Sequence, residues 1–522
     1  MMNIVTKNQN WKMNSKYQCF LALLPTALSA CSGDINPIKP NIIIIYADDL
    51  GYGDVGAYGA TGLKTPNIDK LANEGIRFTN GYATSSTCTP SRYALLTGEY
   101  PWRNEAAKIL PGTAPLIIDT SRVTLPKMLR GNGYKTGIIG KWHLGLGLGE
   151  VDWNKKVSPG PNEVGFDYAF IMAATQDRTP TVYLENGHVV GLNPDNPIEV
   201  NYQKNFEGEP TGLENPELCK LMWDHGHNNS IHNGIPRIGF QKGGKSALWI
   251  DENMADDFLV KAKQFVRTSK HKPFFLYYAL QQPHVPRTPS QRFAGSSGMG
   301  PRGDAIVEAD WCVGELLKTL DADGLREKTL IIVSSDNGPV VNDGYKDDAV
   351  EKLGSHKPWG PLRGGKYSLF EAGTRVPFIV YWKGKINPVV SDAMFSQLDL
   401  LSSLASLTGS TTRTPDSQEL PDVLLGKSKK GREEMILEAT SRTALRKGDW
   451  VLIPPYPGPA LQKQVNIELD NSTDFQLYNL KEDLGQMNNL AIANPEKLKE
   501  MISAFEKIRG KNSKKTEQLE LK

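Results

Sequence analysis

Cysteine is scarce in this chain: five among 522 residues, Cys19, Cys31, Cys88, Cys219 and Cys312. Five scattered cysteines make no disulfide framework, and Cys219 and Cys312 are expected to be free thiols. Neither sign of charge is in excess. Sixty Lys and Arg face 58 Asp and Glu, for a net charge of +2, which excludes nucleic acid as the main partner. Attraction for an anionic substrate must therefore be local. No Gly-x-Gly-x-x-Gly follows a strand; Gly145, Gly147 and Gly149 read as a flexible loop rather than a dinucleotide turn. No tightly spaced His and Cys set provides for zinc, and no internal repeat is present. The apolar stretch at 19–30, preceded by Lys7, Lys12 and Lys16, is too short for a stable membrane span and reads as a secretory signal.

What is there is a globular composition, 39% hydrophobic and 23% charged, with length for one large domain and a smaller one. The signal ends Leu28-Ser29-Ala30-Cys31, which resembles a bacterial lipobox with cleavage before Cys31 and lipid on its sulfur. This implies a protein anchored by lipid alone, in the periplasm or at the outer membrane of a Gram-negative bacterium, with 31–40 as the tether. The run Ile42-Ile43-Ile44-Ile45-Tyr46 is continuous rather than alternating, as in a parallel strand buried on both faces. Runs at 134–139, 274–280 and 330–333 read as further core strands. Each has polar chemistry just past its carboxyl end: Asp48 and Asp49, Lys141 and His143, His284, and Asp336 with Asn337. In a parallel α/β sheet those ends lie along one edge, where ligands bind. Asp48, Asp49, Asp336 and Asn337 offer oxygen only, a hard-cation set suited to Ca²⁺ ahead of Mg²⁺.

Cys88-Thr89-Pro90-Ser91-Arg92 opens a short apolar run ended by Gly98. Pro90 suits a first helical turn and Gly98 the residue after the last, so Cys88 is expected at a helix N-terminus, where anions are favoured. The string Cys-x-Pro-Ser-Arg, followed by Leu-Thr-Gly at 96–98, resembles the signature of the type I sulfatases in the alkaline phosphatase superfamily. The resemblance implies oxidation of Cys88 to formylglycine by a maturase, and calcium held by Asp48, Asp49, Asp336 and Asn337 with residue 88. It implies that Arg92 steadies these groups, and that Lys141, His143, His284 and Lys366 clamp sulfate and move protons. A hydroxyl of hydrated formylglycine would attack sulfur. His284 or Lys366 would protonate the leaving sugar alcohol, and His143 would take the proton that releases sulfate.

The resulting fold expectation is α/β: a large mixed, mostly parallel central sheet flanked by helices over 41–425, then a C-terminal α+β part over 426–522 with a small antiparallel sheet and one helix. The Pro-, Gly- and Asn-rich segment 150–250 reads as an insertion that walls a sugar site, with Thr175, Asp177, Arg178, His225, His227 and Asn228 as candidate contacts. The substrate class is a sulfated carbohydrate, with an exo-acting enzyme on galactose or N-acetylgalactosamine sulfate as the expectation. A phosphonate or phosphate ester hydrolase of the same superfamily, or an inactive lipid-anchored glycan-binding protein, are the alternatives.

Overall fold

The computed structural model describes residues 39–510; the signal, Cys31 and the last twelve residues lie outside the described residues. The first strand, β1 (Asn41–Ala47), sits at the centre of a ten-stranded sheet. Its side chains alternate between two buried faces: Ile42, Ile44 and Tyr46 pack into one apolar cluster, Ile43, Ile45 and Ala47 into the other. A strand covered on both sides has no face to give to polar residues, which is why its sequence runs without alternation.

The other strands of this sheet, in chain order, are β2 (Ile76–Phe78), β3 (Lys135–Lys141), β4 (Tyr168–Met172), β5 (Tyr183–Glu185), β6 (His188–Val189), β7 (Phe274–Ala279), β8 (Thr329–Ser335), β9 (Phe378–Tyr381) and β10 (Val389–Ser391). The spatial order is β10-β2-β9-β8-β1-β7-β3-β4-β5-β6. The central run β8-β1-β7-β3-β4 is parallel throughout, while β9 and β5 join it antiparallel on either side. Register aligns the ends: Ala47 pairs with Ser335 and Gly140 with Ala279. The polar residues after β1, β7, β8 and β3 therefore emerge side by side.

Helices cover both faces. Residues of α1 (Pro66–Glu74), α4 (Met254–Ser269) and α5 (Gly300–Ala322) pack with Ile43 and Ile45. Residues of α2 (Cys88–Thr97), α3 (Leu125–Gly131) and α6 (Leu400–Leu407) pack with Ile42 and Ile44. A second, antiparallel sheet of β11 (Glu434–Ala439), β12 (Arg442–Lys447), β13 (Trp450–Ile453) and β14 (Gln476–Asn479) follows, with the helix α7 (Pro495–Arg509). One face of it packs Ile436, Leu445 and Leu452 on Met501 and Phe505 of α7 and on Ala94 of α2. The other packs Ala444 and Val451 on Leu369 and Phe370. Among the described residues no helix is long and apolar enough to cross a membrane.

Two expectations are corrected. The 150–250 segment is not wholly an insertion, because Tyr168–Met172 is a strand of the main sheet; five residues between Gly- and Pro-rich flanks are too few for periodicity to mark. The glycines at 145 and 147 do not form a flexible loop. Leu144 and Leu146 are buried on either side, the Trp142 indole donates to the Gly145 carbonyl at 2.7 Å, and a Cβ on Gly145 would lie 1.9 Å from the Pro115 oxygen.

Gly140 is a tightly packed point beside the site. Its φ is +111°, and a Cβ there would lie 1.8 Å from the Ala279 carbonyl oxygen. Gly140→Ala is expected to cost at least ~2 kcal/mol, read as a lowered midpoint in thermal unfolding; an unchanged midpoint would mean β3 and β7 are not held at this spacing.

Candidate active site

The loop that delivers Cys88 is pinned before the helix begins. Ser91 Oγ donates to the Ser85 carbonyl at 2.8 Å and accepts from the Ser85 N–H at 3.1 Å. Glu438 of β11 brackets the same loop, since its N–H donates to the Thr84 carbonyl and its carbonyl accepts from the Ser86 N–H. Helix α2 then starts at Cys88 and ends on Gly98 in the left-handed conformation, as the sequence predicts.

Cys88 is buried, and burial pushes its thiol up. A thiol held protonated in this way is a poor thiolate nucleophile. Its Sγ lies 3.3 Å from His143 Nδ1. His143 Nε2 lies 3.0 Å from the Leu110 carbonyl; a carbonyl only accepts, so Nε2 carries the proton and Nδ1 turns its lone pair to residue 88. Burial, then the nearby Lys141 and Arg178 charges, hold His143 well below its ordinary range and keep it neutral. A neutral imidazole aimed at one atom is the arrangement of a general base.

Behind Cys88 the strand ends form a fully buried charge network. Lys141 Nζ donates to both carboxylate oxygens of Asp48 at 2.7 Å. Arg92 donates through Nε and a terminal nitrogen to Asp336 Oδ2, at 3.0 and 2.8 Å, and lies 3.8 Å from Asp48. Asp336 Oδ1 accepts from the Asp49 N–H. Asn337 Nδ2 donates to Asp49 Oδ1 at 2.6 Å. Lys366 Nζ bridges Asp49 and Asp343 at 2.8 and 2.9 Å. Burial opposes the charge on Lys366, but Asp343 and Asp49 outweigh it and hold the ammonium well above its ordinary range. Burial pushes Asp48 well up, and the neighbouring Asp336 and Asp49 add to it against Lys141.

The donor set fits a hard cation. Asp48, Asp49 and His284 each place a ligand atom within 4.8 Å of the others, and the Asn337 Oδ1 is buried with no hydrogen-bond partner among the described residues. A buried carbonyl oxygen without a donor is costly unless something positive faces it. His284 donates Nδ1–H to the Val285 carbonyl at 2.7 Å, leaving Nε2 3.8 Å from Asp49.

A cleft of about 1010 Å³ opens over this network. Cys88, His284, Lys366, Asp177, Arg178, His225 and His227 are on its wall. Asp177 accepts from His227 Nε2 at 2.9 Å and from Arg178 at 3.0 Å; burial would raise its carboxyl, and Arg178 and His227 bring it well below its ordinary range instead. Two of the expected sugar contacts are not on the wall. Thr175 is buried and accepts from Arg178, and the Asn228 amide oxygen accepts from Asn229; a near neighbour in its own segment takes up each of them. Asp343, Tyr202 and Tyr367 also face the cleft and were missed by the sequence reading. Asp343 follows β8 by eight residues in an irregular segment, with no periodic signal to single it out.

A family model described as sulfatase matches residues 40–410. The chain is 50% identical over 502 residues to the N-acetylgalactosamine-6-O-sulfatase of Bacteroides thetaiotaomicron, covering 94% of this chain and 98% of that protein. It is 34% identical over 408 residues to human arylsulfatase A, covering 76% and 70%. A solved structure from work on the metabolism of multiple glycosaminoglycans by B. thetaiotaomicron superposes with a TM-score of 0.89 at 51% identity, covering 90% of this chain and 99% of that one.

Proposed function

The chain belongs to the sulfatase family, a sulfuric ester hydrolase acting on sulfated glycans, and we propose that its substrate is N-acetylgalactosamine 6-sulfate at the end of a glycan chain. The observation that carries this is the 50% identity, across 94% of the chain, to an N-acetylgalactosamine-6-O-sulfatase.

We read residue 88 as formylglycine made from Cys88 by a maturase, and the oxygen donors Asp48, Asp49, Asp336 and Asn337 as a calcium site. Bound there, calcium would supply positive charge against the sulfate oxygens, and the hydrated aldehyde would supply the attacking oxygen. The chain's own residues do the rest. Arg92 and Lys141 hold Asp336 and Asp48 in place and offset the crowding of carboxylates. His143 Nδ1 takes a proton from residue 88. Lys366, kept charged by Asp343 and Asp49, brings a proton to the leaving sugar oxygen, while His284, which burial and the Lys366 and Lys141 charges hold well below its ordinary range, stands beside the same Asp49 carboxylate with Nε2 free to accept. Asp177 and Arg178, tied to each other and to His227, present fixed polar groups to the sugar hydroxyls. A site built this way rejects an epimer strongly, because a mismatched hydroxyl leaves a buried group unpaired.

The lipobox at 28–31 supports an exported lipoprotein, on the periplasmic side or the surface of an outer membrane. An N-terminal lipid anchor would keep the enzyme beside imported or surface glycans.

Four outcomes are expected. N-acetylgalactosamine 6-sulfate is hydrolysed with a kcat/KM at least tenfold above that of N-acetylglucosamine 6-sulfate, and His227→Ala narrows the gap; a better glucosamine substrate overturns the sugar assignment. Cys88→Ala folds but loses activity by a factor of ~10³ or more, and mass spectrometry of the wild-type peptide around residue 88 finds the aldehyde; retained activity in the variant refutes the nucleophile. Elemental analysis of active protein finds about one calcium, lost together with activity in Asp336→Ala; zinc in its place would sink the metal reading. Cys31→Ala appears in the soluble fraction, and persistence in the membrane fraction would point to a different anchor.

A further inference from the structure

The cleft does not end at the sulfate pocket. A second arm runs from Cys88 into the seam with the C-terminal sheet, lined by Trp102, Glu438, Ser441, Arg442, Asn471 and Arg509. The arm starts next to the nucleophile. Glu438 pairs with the Ser85 backbone, and Ser86 is two residues before Cys88, a span of ~7 Å at full extension.

This arm concentrates polar groups that the protein matches only in part. Among the described residues, four that line it each carry a buried polar atom without a hydrogen-bond partner: Trp102 Nε1, Glu438 Oε2, Arg442 Nε and Arg509 Nε. Glu438 is the sharpest case, a carboxyl group 4% exposed on the cleft wall with one oxygen unmatched. Native interiors carry few such atoms, and four on residues lining one arm of a substrate cleft mark a place for a hydroxyl-rich ligand. The turn at Thr440 and Ser441 adds to this. Both residues take positive φ, 42° and 74°, and both line the cleft.

The charge of the arm selects the ligand further. The Arg509 guanidinium stacks on Trp102 at 4.4 Å, and burial holds it below its ordinary range, the sign of a cation short of compensation. Glu438 is its nearest acidic neighbour, but burial raises that carboxyl to about 8, so at neutral pH it is an acid that donates a hydrogen bond. Arg442 is already matched by Asp470. Arg509 thus adds positive charge that a ligand carboxylate would balance, with Glu438 donating beside it.

We propose that this arm is a subsite for the sugar unit that follows the sulfated one, and that the unit it takes is a uronic acid. Its placement rests on the reading of the main pocket as the site of a sulfated hexosamine. The C-terminal sheet then has a role in recognition: it presents Glu438, Ser441 and Arg442 to the second sugar while α7 brings Arg509.

The test compares kcat/KM for three substrates: the 6-sulfated N-acetylhexosamine alone, the same sugar linked to a uronic acid, and the same sugar linked to a neutral hexose. The uronate conjugate is expected to exceed the monosaccharide at least tenfold, with the neutral conjugate between them. Arg509→Gln should cut the ratio of uronate conjugate to monosaccharide about tenfold, and Glu438→Gln about threefold. Equal values for the two conjugates in the wild type overturn the proposal. So does a variant that lowers all three substrates alike, since that is the mark of a structural role. If no sulfated hexosamine is turned over, the substrate reading fails by itself. Calorimetry with the desulfated uronate disaccharide then decides the subsite, binding to wild type but not to Arg509→Gln supporting it and no binding to wild type overturning it.

Discussion

Buried charge at the ends of four parallel strands is the constraint on which the rest of this structure depends. Asp48, Asp49 and Asp336 lie close together in the protein interior with essentially no exposure. Carboxylates so placed repel one another and each pays for leaving water. Arg92, Lys141 and Lys366 offset that cost, and each comes from a different part of the chain: a helix start, a strand end and a distant loop. The network holds only if β8, β1, β7 and β3 keep their register. The double-sided apolar packing of β1 supplies that register, because a strand with no solvent face cannot slip without burying the wrong residues.

The same burial sets the chemistry of residue 88. It keeps the Cys88 thiol protonated and His143 neutral, so the pair is unsuited to thiolate catalysis. It is suited to a base that waits for an oxygen acid to appear beside it. Conversion of a sulfur side chain to a hydrated aldehyde would change what stands opposite the imidazole while leaving the surrounding geometry alone. Fixing the His143 tautomer through the Leu110 carbonyl means the lone pair is already aimed before substrate arrives, which is preorganisation rather than induced fit.

The C-terminal sheet contributes more than cover. It packs against Ala94 of the helix that carries Cys88 and against Leu369 and Phe370, just beyond Lys366. Two segments that bear reacting groups are thus braced by one small sheet, and the main-chain bonds of Glu438 to Thr84 and Ser86 close the brace. A brace that touches the reaction centre also borders the cleft, so it is in position to meet whatever extends from the sulfated sugar.

Much of this was legible in the amino acids, and the parts that were not share a physical cause. The continuous isoleucine run, the strand-end aspartates and the helix signals around Cys88 are local, and local sequence determines them: periodicity reports burial, and Pro90 and Gly98 report helix ends. The strand-end rule brought Asp48, Lys141, His284 and Asp336 together correctly because a parallel sheet has one edge at which its strands finish. The strand at 168–172, the packed turn at Gly145 and the place of Asp343 were decided by tertiary structure alone. They take their meaning from partners distant in the chain: the strand from its pairing with β3, Gly145 from the Pro115 carbonyl, Asp343 from Lys366. The unmatched polar atoms around Glu438 exist only once two separate sheets meet, since an orphaned group is defined by what fails to reach it, and only the folded chain decides that.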